Sequence, residues 1–332
     1  MRKRLTALAC LAACLTLAAC DPRLRRPDVD RHEVRGLESE VGEESLRRFL
    51  EHQARVADAS HRLRVAGAEL CDGEVAPLLG VVAWRRVDMP SRQLKNLARD
   101  VWHLTTDYRV MHVVPGSPAH RAGVVAGDQL LRVNGTRLGA QNALEPTLRG
   151  IDDDVLVVEV KREKRDEIRI PAESGCRHGA VLSASNRLVT AGTADDYVIV
   201  TMGLIRMTRS DADLAQVIAH QMGHQMQATV ERPPPGPGTL LATEALVRAD
   251  EIEADRLGLF LMARAGYPLD GADDMLERIA IEEPWMLFEV ATRPEVTAWP
   301  AHGFVPARIV AMDRHLDEIA EKRANADPVT PD

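Results

Sequence analysis

Two histidines four residues apart, His220 and His224, lie in a stretch whose apolar residues Leu214, Val217, Ile218 and Met222 recur at helical spacing. On a helix this spacing sets both imidazoles on one face, a turn apart, where they can reach a single ion. The pattern demands a helix here and further ligands from elsewhere in the chain, because catalytic zinc takes three protein ligands and keeps one position for water. Ser210 is a good N-cap for this helix, with Asp213 three residues on. Surface histidines also meet at this spacing by chance, so the pair alone is a weak signal. A third candidate stands on a second helical stretch, about 239–265, which stops at Gly266 with Pro268 beyond. There Glu251 and Asp255 repeat the one-turn spacing, although an acidic pair on a helix is more often a solvated face. Between the two stretches runs Glu231–Gly238, ERPPPGPG, a loop that either covers a cleft or simply connects.

The N-terminus is of a different kind. Arg2, Lys3 and Arg4 precede an apolar run ending in Leu17-Ala18-Ala19-Cys20, the pattern of an export signal. Leu-Ala-Ala-Cys resembles the lipobox of bacterial lipoproteins, which implies lipidation of Cys20 and attachment to a membrane surface without spanning it. Asp21 resembles the signal for retention in the inner membrane. These features imply a bacterial envelope location, facing the periplasm. Beyond this segment no stretch is apolar for long enough to cross a bilayer. Once the signal and the lipid-bearing cysteine are set aside, Cys71 and Cys176 remain, and an oxidising compartment would allow them to pair. Two separate buried thiols are the alternative. A net charge of −8 argues against nucleic acid as a partner, since phosphate binding needs a concentrated basic surface.

Residues 21–36, charged and with Pro22 and Pro27, read as a tether. From about Leu37 to Leu70 the apolar spacing is helical, in one helix or two. Between about 104 and 172 the pattern changes to short strands and turns. Arg109–Val114 alternates, Ala119–Ala122 suits a short helix, and Gln129–Val133 leads into Asn134-Gly135, a strong turn signal. Val155–Val160 and Glu167–Ile170 form a hairpin pattern. The run Val113-Val114-Pro115-Gly116-Ser117-Pro118-Ala119, with Ala122-Gly123-Val124 and Gly127–Gly135, resembles a PDZ domain of the bacterial protease type. PDZ domains bind extended peptide by adding a strand to a sheet edge. The loop His103–Asp107 ahead of the first strand of this stretch lacks the glycine-containing pattern of a carboxylate-binding loop. The module could therefore bind peptide or merely space the rest of the chain.

The helical stretches resemble the gluzincin metallopeptidases of the CAAX-protease, HtpX and OMA type. Leu214–His220 matches that family's approach to its first ligand, Glu251–Gly258 its E-x-E-A-D-R-x-G segment, and Ala265-Gly266-Tyr267 the turn after it. His302, six residues before Arg308, resembles the family's His-Pro segment, with Gly303 in place of proline. The resemblance implies an α+β chain in which a mainly helical zincin-type metallopeptidase domain accompanies a small β-rich PDZ-like domain. Its parts would be a signal peptide (1–20), the tether (21–36), a helical segment belonging to the peptidase domain (37–103) and the PDZ-like domain (104–172). The metallopeptidase domain (173–324) and a disordered tail (325–332) would complete it. The resemblance also implies one zinc ion per chain on His220, His224 and Glu251, with Asp255 orienting a histidine and His302 facing the site. Gln221 departs from the family. In H-E-x-x-H enzymes a glutamate there serves as general base, and glutamine has no proton-accepting form near neutral pH. Three readings follow: a zinc-loaded protein of impaired hydrolysis that binds extended polypeptide clients, a working endopeptidase of envelope quality control, or a metal-free scaffold.

Overall fold

The structure, a computed structural model, describes residues 29–186, 192–194, 197–227, 240–282 and 305–331. Two compact units partition the chain, Met1–Gly42 and Glu43–Asp332. The signal segment, Cys20 and residues 21–28 of the tether lie outside the described residues, as do the loop 231–238 and His302. Among the described residues no helix is long and apolar enough to cross a membrane.

Helix α1 (Arg31–Ala66) runs unbroken over 36 residues. Asp30 starts it, its carbonyl accepting from Val34 N–H at 3.0 Å and its Oδ1 from His32 N–H at 2.7 Å. Helix therefore replaces the expected tether from Arg31 onward. Within the larger unit α1 buries Leu46, Val56, Ala59 and Leu63. It leads to strand β1 (Val75–Leu78).

The module follows as β2 (Val81–Trp84), α2 (Arg92–Trp102), β3 (Tyr108–Val113), the single turn α3 (Pro118–Arg121), β4 (Gln129–Val133), β5 (Thr136–Arg137), α4 (Leu144–Arg149), β6 (Val155–Lys161) and β7 (Arg165–Pro171). Its antiparallel sheet has the order β2-β3-β4-β6-β7, with β5 paired to β4. Alternation sends Leu156, Val158 and Val160 of β6 into a core shared with Val110, Leu130, Val133 and Ile170. Asn134 and Gly135 turn the chain with φ of 44° and 77°, as the sequence signal predicts. Buried Asp128 accepts from Val125 N–H and pairs with both ends of the Arg162 guanidinium, at 2.6 and 2.8 Å. The expected boundary at 104 is too late: β2 pairs with β3 from Val81↔Val113 onward, so the sheet begins in the 37–103 segment. A four-residue strand offers too few alternations to show in a sequence pattern.

Entry and exit share one ribbon. Strand β1 pairs antiparallel with β8 (Glu173–Cys176), from Val75↔Cys176 to Leu78↔Glu173. Cys71 and Cys176 close it with a disulfide whose Cα atoms are 5.7 Å apart. Beyond the ribbon come β9 (Gly179–Ser183), β10 (Gly192–Ala194) and β11 (Tyr197–Thr201), in the order β10-β11-β9. Helices α5 (Met202–Met207), α6 (Asp211–Gln227), α7 (Leu240–Arg264), α8 (Asp274–Glu282) and α9 (Val305–Ala324) complete the chain. Thr201 Oγ1 caps α5 by accepting from Leu204 N–H at 3.1 Å.

The core of this half contains Val56, Ala59 and Leu63 of α1 beside Val198, Val200, Leu214, Ile218 and Leu261. Helix α1 is thus built into the helical half, although the sheet module intervenes in sequence. The tail expected to be disordered from Asn325 instead packs, with Val329 half-buried against the cluster of Phe260, Met312 and Ile319. Arg264 Nη1 donates to the Val329 carbonyl at 3.5 Å.

Candidate functional site

Helix α6 begins as its sequence predicts: Ser210 Oγ accepts from Asp213 N–H at 3.1 Å, and Asp213 Oδ2 accepts from Arg209 N–H at 2.7 Å. Its apolar stripe of Leu214, Ile218 and Met222 is buried. What places its histidines is a close crossing with α7. A Cβ added to Gly223 would lie 2.5 Å from the Ala254 carbonyl oxygen, and one on Gly258 would lie 2.9 Å from His220 N. Any side chain at either position would push the two backbones apart. With none, the turn carrying His220 and His224 faces the turn carrying Glu251 and Asp255.

The ligand atoms of His220, His224 and Glu251 all lie within 4.8 Å of one another. His220 Nε2 is 3.5 Å from Glu251 Oε2, and His224 Nε2 is 3.3 Å from Glu251 Oε1. Glu251 is 2% exposed, so its carboxylate faces the protein and not solvent. The acidic pair is therefore no solvated face. Asp255 Oδ1 stands 2.8 Å from His220 Nδ1. A contact that short between ring nitrogen and carboxylate requires the proton on Nδ1, which leaves the Nε2 lone pair turned toward Glu251. Burial, with Arg308 adding to it, pushes the His220 pKa down to about 4, so the ring is neutral at physiological pH.

Arg308, from α9, joins the cluster. It is 2% exposed. Its Nε donates to Asp255 Oδ2 at 2.7 Å and its Nη2 to Oδ1 at 2.8 Å, while Nη1 stands 3.0 Å from Glu251 Oε2. One guanidinium thus holds both Glu251 and Asp255. Burial pushes Asp255 up, but Arg308 and His220 outweigh it and bring the carboxyl down to about 2. Arg256 of α7 fastens α9 in place through a bidentate pair with Glu318, at 3.1 and 2.7 Å. Only the six-residue spacing from His302 pointed to Arg308 in the sequence, and a contact across 53 residues leaves no local pattern.

Two imidazoles and a carboxylate with converging atoms are a donor set that zinc accepts. Among His220, His224, Glu251, Asp255 and Arg308, two carboxylates and one guanidinium leave one formal negative charge, which favours a cation. Gln221 is buried, at 3% exposure.

The sheet module presents a second feature. Strand β2 ends the sheet order, so one edge is open for pairing, and Leu79-Gly80 precedes it with Gly80 at φ 78°. The glycine-containing turn sought at 103–107 is here, ahead of the edge strand. The Leu79-Gly80-Val81 run was the signal that could have found it.

Residues 109–162 match the family model described as PDZ domain, and the chain contains such a domain. Solved structures that match include the HtrA3 PDZ domain bound to a phage-derived ligand, at 22% identity and TM-score 0.24, covering 30% of this chain and 88% of that one. An HtrA-type protease, AlgW, with a decapeptide matches at 17% identity and TM-score 0.24, covering 30% of this chain. The match spans 29% of that protease chain. No curated protein matches the sequence.

Proposed function

We propose that this protein is a zinc-metallopeptidase-like lipoprotein of the bacterial envelope that binds extended polypeptide, with hydrolysis impaired by Gln221. The observation that carries the reading is the convergence of His220, His224 and Glu251, backed by Asp255 and Arg308. His220 and His224 would bind through Nε2 and Glu251 through its carboxylate. When bound, zinc supplies a Lewis acid that polarises a peptide carbonyl. Asp255 holds His220 in the ligating tautomer, and Arg308 holds Asp255. Gln221 can donate and accept hydrogen bonds but cannot take a proton at neutral pH, so it cannot act as a general base. That function is worth typically about 10²–10⁴ in rate.

The PDZ domain supports the polypeptide-binding part, since its fold takes extended chains as an added strand. The anchoring reading rests on Leu17–Cys20, and the Cys71–Cys176 disulfide supports an oxidising compartment. Inner-membrane retention, facing the periplasm, follows from Asp21 on the same footing.

The decisive comparison is cleavage of unfolded casein by the zinc-loaded native protein and by Gln221→Glu. We expect the variant to cut at least about 10²-fold faster. Equal rates would overturn the impaired-hydrolysis reading, and native protein that takes up no stoichiometric zinc would overturn the metal reading.

A further inference from the structure

The segment that joins β2 to β3 carries a charge unlike that of the chain as a whole. Residues 85–99 hold the cations Arg85, Arg86, Arg92, Lys95 and Arg99 against one carboxylate, Asp88, a net of +4 in a chain whose total is −8. Ser91 starts α2 inside this segment, its Oγ accepting from Leu94 N–H at 3.1 Å. The helix then divides its faces. Leu94, Leu97 and Ala98 turn inward to a cluster with Leu46 of α1 and Leu104. Arg92, Lys95 and Arg99, spaced by three and four, share the outward side. Arg92 and Arg99 are exposed, and Lys95 is half-buried.

The charged groups around this face are mostly spoken for. Arg85 pairs with Asp88 at 2.6 Å and Arg99 with Asp100 at 2.8 Å, while Arg47 and Arg48 of α1 each meet Glu44 at 2.7 Å. Arg86, Arg92 and Lys95 make no ion pair among the described residues. Beside them the short 3₁₀ turn Arg86–Asp88 leaves Val87 45% exposed, with Pro90 exposed just after it. Trp102, three residues beyond Arg99 on the same side of α2, is half-buried against Trp84, their rings 5.5 Å apart. Free cations, an apolar tip and an indole at the border suit a surface that rests on anionic headgroups. An acidic polypeptide would use the cations alone.

The anchor implied by Leu17–Cys20 favours the membrane of the two. Leu46, on which α2 packs, follows Cys20 by 26 residues, a span of at most about 60 Å with α1 helical from Arg31. Charge is screened beyond about 8 Å at physiological ionic strength, so the cations act only on contact. A lipid on Cys20 would keep them at high local concentration over the bilayer, where such contact recurs.

We propose that Arg86, Arg92 and Lys95 dock the larger unit onto the anionic headgroups of the membrane that holds the anchor, with Val87 dipping among them. This rests on the anchoring reading above and adds which face of the protein meets the bilayer. Each basic side chain at such a surface strengthens attachment by about five-fold, so the three together give about 10²-fold.

The test uses the full-length lipidated protein reconstituted into vesicles, with a donor dye on Asn96→Cys of α2 and an acceptor dye on a lipid headgroup. Energy transfer should be high in vesicles containing one-third phosphatidylglycerol and low in pure phosphatidylcholine, and high salt should remove the difference. Replacing all three cations (Arg86→Gln, Arg92→Gln, Lys95→Gln) should lower the ratio of docked to undocked protein by about 10²-fold. Because the lipid and salt comparisons leave the cations in place, they stand even if the triple variant fails to fold. Equal transfer in both vesicle types, or a folded triple variant that keeps the full response, would overturn the docking. Protein that ignores phosphatidylglycerol but shifts the dye's anisotropy with soluble oligoglutamate would assign the cations to an acidic polypeptide and overturn the membrane assignment. The mass of the same sample reads the lipid on Cys20. Its absence would overturn the anchoring reading, whereas its presence with equal transfer overturns the docking alone.

Discussion

The PDZ domain and the helical half use glycine for opposite reasons. In the PDZ domain Gly135 sits at φ 77° with open space where a side chain would be, so it serves the backbone conformation of one turn. In the helical half Gly223 and Gly258 lie inside helices and serve an absence of volume, which lets α6 and α7 touch backbone to backbone. The first kind acts on its neighbours in sequence. The second acts across 31 residues or more, and the candidate metal site exists only because of it. The same contrast holds for charge: Asp128 and Arg162 brace a PDZ turn within one sheet, whereas Arg308 joins α9 to Glu251 and Asp255 of α7.

The strongest way to break this contrast is Arg308→Ala. It strands buried Asp255 and Glu251 without their guanidinium, which costs about 3–5 kcal/mol. Urea unfolding should show that loss, with zinc uptake lost as well. An unchanged midpoint would mean that α9 does not hold the site.

Acid should act on the same cluster with a comparable size in metal-free protein. The folded pKa of His220, about 4, lies below the ordinary 6.5, so the unfolded chain takes the proton first. Stability is then whole above about pH 6.5 and falls as pH drops toward 4, by on the order of 3 kcal/mol. Asp255, lowered from 3.8 to about 2, extends the loss in the same direction at lower pH. Chelator-treated protein unfolded in urea at pH 7 and pH 4.5 measures the slope, and His220→Asn should flatten it. A flat profile in the native protein would contradict the burial of His220.

The smallest effects sharpen the comparison most. Gly223→Ala forces a side chain against the Ala254 carbonyl and should cost about 1–3 kcal/mol while weakening zinc binding. Gly135→Ala should cost about 1–2 kcal/mol for its left-handed backbone and leave zinc binding untouched. Isothermal titration with zinc on both variants separates the two kinds of glycine. Equal zinc affinities would remove the distinction.

The same division explains what could be read without a structure. Strands β3, β4, β6 and β7, the Asn134-Gly135 turn, the Ser210 cap and the end of α7 at Gly266 all depend on residues within a few positions of one another. Local sterics and alternation write such features directly into the order of residues. The histidine and acidic pairs were equally visible as pairs. Four things are not written in local order: the meeting of the pairs, which only the family resemblance implies, the guanidinium behind them, the membership of β2 in the PDZ sheet and the seating of α1 in the helical half. Each depends on which surfaces meet, through contacts spanning from 25 residues (Trp84 of β2 with Arg109 of β3) to well over 100 (α1 with β9), and packing of that range is settled by the tertiary fold alone.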